Sequence, residues 1–119
     1  MRTRRSVLAL LLLFGTALAV VPPAGAETLH RVPAKRVCMV NDTEFPKDQI
    51  AVHVEGKTYF GCCEMCKGRL AQDAKIRQAT DPVSGKNVDK ATAVIGAKPD
   101  GKVLYFESEK TFTAYQKRS

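Results

Sequence analysis

Residues 50–74 read Ile50-Ala51-Val52-His53-Val54-Glu55-Gly56-Lys57-Thr58-Tyr59-Phe60-Gly61-Cys62-Cys63-Glu64-Met65-Cys66-Lys67-Gly68-Arg69-Leu70-Ala71-Gln72-Asp73-Ala74. Ile50, Val52 and Val54 alternate with Ala51, His53 and Glu55, the period-two pattern of a half-buried strand. Glu55-Gly56-Lys57 is a turn, and Thr58-Tyr59-Phe60 opens the returning strand of a hairpin. Cys63 to Ala74 then reads as a helix, with Leu70 and Ala74 four apart on one face. Gly68 weakens that helix by roughly 1 kcal/mol relative to Ala. The unit is strand, turn, strand, helix, with cysteines where strand gives way to helix.

A similar unit follows. Ala91 to Ile95 and Val103 to Phe106 read as strands, separated by the turn Lys98-Pro99-Asp100-Gly101. Ser108 is placed to cap a helix over residues 109–116. Gly56-Lys57 aligns with Gly101-Lys102, Phe60 with Tyr105 and Leu70 with Tyr115. Asp81-Pro82 marks the junction, dividing residues 37–80 from residues 81–119. A unit of about 40 residues rarely buries enough apolar surface to stand alone, so the two are expected to share a core. The expected fold class is α+β: two zinc-ribbon-like ββα units packed as one pseudo-symmetric domain. Residues 27–36 are polar and aperiodic, and read as a flexible lead-in.

The first 26 residues have a different character. Arg2, Arg4 and Arg5 precede an apolar run from Val7 to Val21, then Pro22-Pro23 and Ala24-Gly25-Ala26. This is the layout of a cleavable signal peptide. The run is shorter than the roughly 20 residues that span a bilayer, so no membrane insertion is expected after cleavage. The general secretory route is favoured over the twin-arginine route, and the protein is expected to be periplasmic or secreted. Of 119 residues, 19 are basic and 12 acidic, a net charge of +7. Setting the leader's three arginines aside leaves 16 basic residues, a mild excess with no basic stripe for nucleic acid. The length leaves no room for a Rossmann or barrel enzyme. No hydrolase triad can be assembled around Ser84.

The chemistry resides in four cysteines. Cys38 precedes the hairpin; Cys62, Cys63 and Cys66 follow it. Cys62 and Cys66 are four apart, Cys63 and Cys66 three apart, so a helix starting near Cys62 would put both pairs on one face. Thiolates at a helix N-terminus are stabilised by the macrodipole, and metal binding requires the thiolate. Cys38, Cys62, Cys63 and Cys66 could supply the four sulfurs that zinc prefers. Cys62 and Cys63 can both bind only if the backbone bends between them. Copper(I) accepts fewer soft ligands, and thioethers from Met39 and Met65 flank the cluster. Softness and an exported address favour copper(I) over zinc. Two alternatives stay open. One is a metal-free interaction domain stapled by Cys38–Cys66 or Cys38–Cys62. The other is a thiol oxidoreductase using Cys63 and Cys66, a motif that usually needs a thioredoxin-like setting. His30 and His53 are expected to be surface residues, and Glu64 a solvated helix-start acid.

Cys38, then Tyr59-Phe60-Gly61, then Cys62-x-x-x-Cys66 resembles the TRASH/YHS metal-binding domains. Asp81-Pro82-Val83-Ser84-Gly85 resembles the opening motif of the same family, with Ser84 where its Cys belongs. Tyr105-Phe106-Glu107-Ser108 resembles its aromatic stretch with Glu107 replacing Cys, and Thr111 falls at the last Cys. The resemblance implies one live metal site and one degenerate copy. It implies heavy-metal buffering, trafficking or resistance, with a metal transporter or metallochaperone as partner and no enzymatic reaction. Cys63 stands at the family's Ser position, an extra thiol the pattern does not explain.

Overall fold

The computed structural model describes residue 15 and residues 28–118; the expected leader otherwise lies outside these residues. The elements are β1 (His30–Arg31), a 3-10 turn (Ala34–Arg36), β2 (Val37–Cys38), β3 (Thr43–Glu44), β4 (Ile50–Val54), β5 (Lys57–Gly61), α1 (Glu64–Gln72), β6 (Gln78–Thr80), β7 (Asn87–Asp89), β8 (Val94–Ala97), β9 (Val103–Phe106) and α2 (Glu109–Lys117). The fold is α+β. All strand pairing is antiparallel: β2 with β3, β4 with β5, β6 with β7, and a three-stranded sheet in the order β1-β8-β9. After β1 and the 3-10 turn, the order hairpin, hairpin, helix occurs twice. No helix among the described residues is long and apolar enough to cross a membrane.

The hairpin expected at residues 50–60 is present, with Val52 opposite Tyr59 and Val54 opposite Lys57. Its turn places Glu55 at φ 50° and Gly56 at φ 78°. Two successive left-handed residues are what a two-residue hairpin needs to match strand twist. One core draws on both halves: Val37, Met39, Val52, Tyr59 and Leu70 meet Ile95, Ala97, Val103 and Tyr105. Burying an aliphatic side chain of this kind contributes about 1.5–3 kcal/mol. A smaller cluster joins Leu29, Phe106 and Phe112, with the Phe106 and Phe112 rings edge-to-face at 5.4 Å.

The halves are locked by crossed hydrogen bonds. Tyr59 Oη donates to Asp89 at 2.8 Å, and Tyr105 Oη donates to Asp42 at 2.8 Å. Each tyrosine lies on the inner face of one half's hairpin, and each aspartate belongs to the other half. Tyr59, rather than the Phe60 of the sequence alignment, is therefore the functional counterpart of Tyr105. Lys57 adds an ion pair to Asp89 at 2.7 Å.

Several expectations are corrected. The lead-in is docked: Leu29 and Val32 are buried, and His30 and Arg31 pair with Ala97 and Gly96 of β8. Two apolar side chains flanking a two-residue strand are enough to hold it, yet too few to make a period. Asp81, at the expected junction, lies in the hairpin loop between β6 and β7, and Lys90 N–H donates back to Arg77 O at 2.9 Å. The first helix is shorter at both ends than expected. Leu70 is fully buried, but Ala74 lies past the helix and is exposed. The helix ends where Arg77 Nη1 donates to Leu70 O at 2.7 Å, a basic side chain satisfying a terminal carbonyl. The strand expected at 91–95 begins at Val94 instead, because Asp89 accepts from Ala91 N–H and turns the chain there.

Candidate metal centre

Cys38 ends β2 and is fully buried. The next residue ties it to the other cysteines: Met39 N–H donates to Phe60 O at 2.8 Å, seating the loop against the end of β5. Cys62 follows β5 directly. Cys63 is the N-cap of α1 with extended backbone, φ −155° and ψ 172°. That extended residue is the bend the sequence required. Cys62 thus reaches the centre from the strand side, and the helical face it was expected to share with Cys66 does not exist. Cys66 lies in the first turn of α1 and is buried.

The sulfurs of Cys38, Cys62 and Cys66 all lie within 4.8 Å of one another, with Cys62 and Cys66 3.6 Å apart. Four thiolates about 2.3 Å from a zinc ion would be roughly 3.8 Å apart, so the trio is near ligand spacing already. This cysteine trio could hold a metal ion. Gly61 makes the spacing possible. A Cβ there would sit 3.0 Å from Cys66 Cβ and 3.3 Å from the Lys67 nitrogen, tighter than ordinary contact, so the helix start would have to give by a few tenths of an ångström to admit a side chain.

The polar surroundings are graded. Burial works to raise the Cys38 pKa, but the backbone N–H groups of Asn41, Val40 and Cys62 outweigh it, and the pKa is lowered. Hydrogen bonds to the charged form favour it. Cys66 is pushed up to about 12, by burial first and then by its sulfur neighbours Cys63 and Cys62. The Cys62 pKa is raised, chiefly by its hydrogen bond with Cys38. Cys63 is lowered, chiefly by the Cys66 backbone N–H at the helix start. Asn41 Nδ2 lies 3.6 Å from Cys62 Sγ and donates to it. Within the trio, the amide hydrogen bonds favour the charged form at Cys38 and burial disfavours it at Cys66.

The loop carrying Cys38 is braced from the second half. Lys90 is buried and its Nζ donates to Met39 O at 2.7 Å and to Asp42 Oδ1 at 2.9 Å. Asp42 holds a left-handed backbone at φ 51° and accepts from Tyr105 as well. Among the described residues no buried side-chain nitrogen or oxygen lacks a partner. Sequence reasoning missed Asn41, Asp42 and Lys90. An Asn-Asp pair three residues past a cysteine was a loop signal; Lys90 had no local feature to distinguish it from the solvated lysines.

The other sequence candidates fall elsewhere. Cys63 is exposed and stands outside the trio, its sulfur 3.5 Å from Cys66 Sγ. Met39 is fully buried in the core and Met65 is 75% exposed. His30 pairs with Glu44 at 2.8 Å and His53 with Thr58 at 3.1 Å; neither belongs to the sulfur cluster. Glu64 is exposed. The four cysteines are unbridged.

The second half carries a centre of similar plan and opposite chemistry. Asp81 is fully buried. It accepts from Val83 N–H at 2.7 Å, Ser84 N–H at 3.1 Å and Glu107 N–H at 2.8 Å. Burial tends to raise its pKa, but the Glu107 N–H, the Thr111 side chain and the Val83 and Ser84 N–H groups prevail and lower it. Cys38 meets the same set: the N–H groups two and three residues ahead, and that of the residue closing the second hairpin. By these bonds the counterpart of Cys38 is Asp81. Ser84, aligned with Cys38 in the sequence, is exposed and offers the carboxylate its amide instead. Ser108 caps α2 by accepting from Thr111 N–H at 3.4 Å, as expected, in the position Cys63 holds on α1.

No protein family, curated protein or solved structure matches the chain.

Proposed function

We propose that this chain is an exported protein that binds a soft metal cation at Cys38, Cys62 and Cys66 and serves in metal buffering, trafficking or resistance rather than in catalysis. The observation that carries the reading is the convergence of three sulfurs from two distant stretches of chain to within 4.8 Å. Three thiolates make a complete set for copper(I), whereas structural zinc almost always takes four ligands. This favours copper(I) first and zinc second. The N–H groups of Asn41, Val40 and Cys62 around Cys38, with the Asn41 amide on Cys62, offset the excess negative charge of three thiolates on a monovalent ion. Hydrogen bonds of this outer kind orient ligands and tune affinity.

The wider reading follows the same line. The residues ahead of Glu27 act as a secretory signal, and the mature chain works in the periplasm or outside the cell. The two halves are copies of one zinc-ribbon-like ββα unit of the TRASH/YHS type, the second of them degenerate. The repeated hairpin, hairpin, helix order and the matched bonding of Cys38 and Asp81 support it. A partner that delivers or removes the ion would be a transporter or metallochaperone presenting its own sulfur ligands to the exposed side, where Cys62 lies.

The test is an anaerobic titration of the reduced chain with copper(I) against a chromophoric copper(I) chelator, repeated with zinc. One tightly held copper(I) per chain, lost in Cys38→Ser and in Cys66→Ser, is the expected result. A chain that cannot compete with the chelator, or binds equally well without Cys66, overturns the reading.

A further inference from the structure

Cys63 is the one cysteine that the metal reading leaves unused. It is exposed, lies outside the trio, and makes no capping hydrogen bond through its side chain. Its counterpart Ser108 does cap its helix. Yet Cys63 Sγ is 3.5 Å from Cys66 Sγ. A disulfide needs sulfurs about 2.0 Å apart, so rotation of an exposed side chain by ~1.5 Å closes the gap. Cys62 is nearly as close to Cys66, at 3.6 Å, but it is held by the Asn41 amide. Cys63 is not tethered in this way.

We propose that Cys63 and Cys66 form a reversible disulfide by exchange with a small-molecule or protein disulfide, and that this bridge and a metal ion exclude each other at Cys66. The inference rests on the metal-binding reading for its second half only. In the first step the exposed Cys63 thiolate attacks one sulfur of the external disulfide. That S–S bond breaks, and one external thiolate leaves with the bonding pair. In the second step the Cys66 thiolate attacks Cys63 Sγ, the mixed disulfide breaks, and the second external thiolate leaves. The two protons released by Cys63 and Cys66 end on the two external thiolates. Two protein thiols are oxidised by two electrons, and one external disulfide is reduced to two thiols.

The geometry assigns the order of attack. Cys63 faces solvent and Cys66 is buried, so an external disulfide reaches Cys63 first. The bridge removes one of three ligands and leaves Cys38 and Cys62 as a pair. Conversely, an ion held by Cys66 occupies the lone pair that the second step needs, so the loaded chain stalls at the mixed disulfide. The extra thiol thereby ties metal release to the thiol–disulfide balance of the compartment.

Reduced chain, metal-free or loaded anaerobically with copper(I), is exposed to excess oxidised glutathione, quenched in acid, alkylated and mapped by mass spectrometry. The metal-free chain should lose two hydrogens with the bridge at Cys63–Cys66. Its copper(I) affinity should then drop by at least about tenfold and recover with dithiothreitol, as loss of a thiolate ligand requires. The loaded chain should form the bridge at least about tenfold more slowly, since the attacking thiolate is withheld. Cys63→Ser should keep whatever affinity it starts with through the same treatment. A bridge mapping to Cys38 or Cys62, equal rates with and without copper(I), or loss of affinity in Cys63→Ser would each overturn the proposal. A chain that takes up no copper(I) before any oxidant is added fails the metal reading itself. A chain that takes it up and oxidises unprotected fails only this inference.

Discussion

The two halves of the molecule are built around one buried anchor each, and the anchors differ in kind. Cys38 ends a short strand and Asp81 follows one, and both receive the N–H groups of the second and third residues ahead and of the residue closing the next hairpin. At Asp81 the result is closed. The carboxylate is ionised, fully buried and satisfied by the protein's own donors, with Thr111 beside it. At Cys38 the same donors leave a sulfur facing two further sulfurs, those of Cys62 and Cys66. A hard anion can be finished by amides; a cluster of soft thiolates calls for a soft cation. The comparison teaches that one backbone cage can carry a closed structural centre in one half and a cysteine trio that could hold a metal ion in the other, the change lying in three side chains.

That contrast can be broken most directly at Cys66. Cys66→Ser is expected to weaken copper(I) binding by more than about a hundredfold, beyond the 10–100-fold typical of outer-shell changes, measured by chelator competition. Asp81→Asn should leave copper(I) binding within the error of the same measurement. If both variants bind alike, the two centres are not divided as described.

The contrast is sharpened by converting one centre into the other. Asp81→Cys with Glu107→Cys and Thr111→Cys should raise the copper(I) stoichiometry from one to about two per chain, because copper(I) needs soft ligands and little else. The same pair of changes with Ser84→Cys in place of Asp81→Cys should leave it at one. Native mass spectrometry of the loaded chains reads the difference. The reverse outcome would restore Ser84 as the counterpart of Cys38.

A smaller effect is expected in stability. Asp81→Asn should cost about 1–3 kcal/mol at neutral pH, the penalty for disrupting a buried hydrogen-bonded charge. The sign with pH follows from linkage. The folded pKa of Asp81 lies below its ordinary value, so its contribution is complete above the unfolded pKa of about 3.9 and fades as pH falls through the folded one. Asp89 is depressed as well, with burial opposed by Lys57, the Ala91 N–H and Tyr59, and reinforces the trend. Urea unfolding from about pH 5 to about pH 2 should show wild type and Asp81→Asn converging. A gap that stays constant would mean Asp81 is not ionised in the folded protein.

The smallest expected change is Cys63→Ser, which should weaken copper(I) binding by no more than about tenfold, since the lost group neighbours the ligands without being one of the trio. A loss as large as that of Cys66→Ser, in the same competition assay, would make Cys63 a full ligand and the centre a four-sulfur one.

Some of each half could be read directly. The alternation of Ile50, Val52 and Val54, the Glu55-Gly56 turn and the Ser108 cap are local signals, each encoded within a few residues of where it acts. The spacing of Cys62, Cys63 and Cys66 marked a candidate site, although the helical face it implied for Cys62 does not exist. The bonding partners of the anchors could not be read in this way. Glu107 is 26 residues from Asp81, and Lys90 is 51 from Met39, with nothing in either neighbourhood to announce the contact. Leu29 and Val32 gave no period and so no strand, although they dock the chain onto β8.

The sequence by itself determined which atoms could do chemistry here: four thiols, three of them at a strand-to-helix turn, and two hairpins with inward apolar faces. Local rules suffice for that, because strand alternation, turn residues and helix caps act over a handful of neighbours. Only the tertiary structure decided that three of those thiols meet, that Cys63 stands aside, and that Asp81 rather than Ser84 mirrors Cys38. Those outcomes depend on where a closing hairpin brings its last amide and on an extended residue before a helix. They are set by packing between segments that lie far apart along the chain.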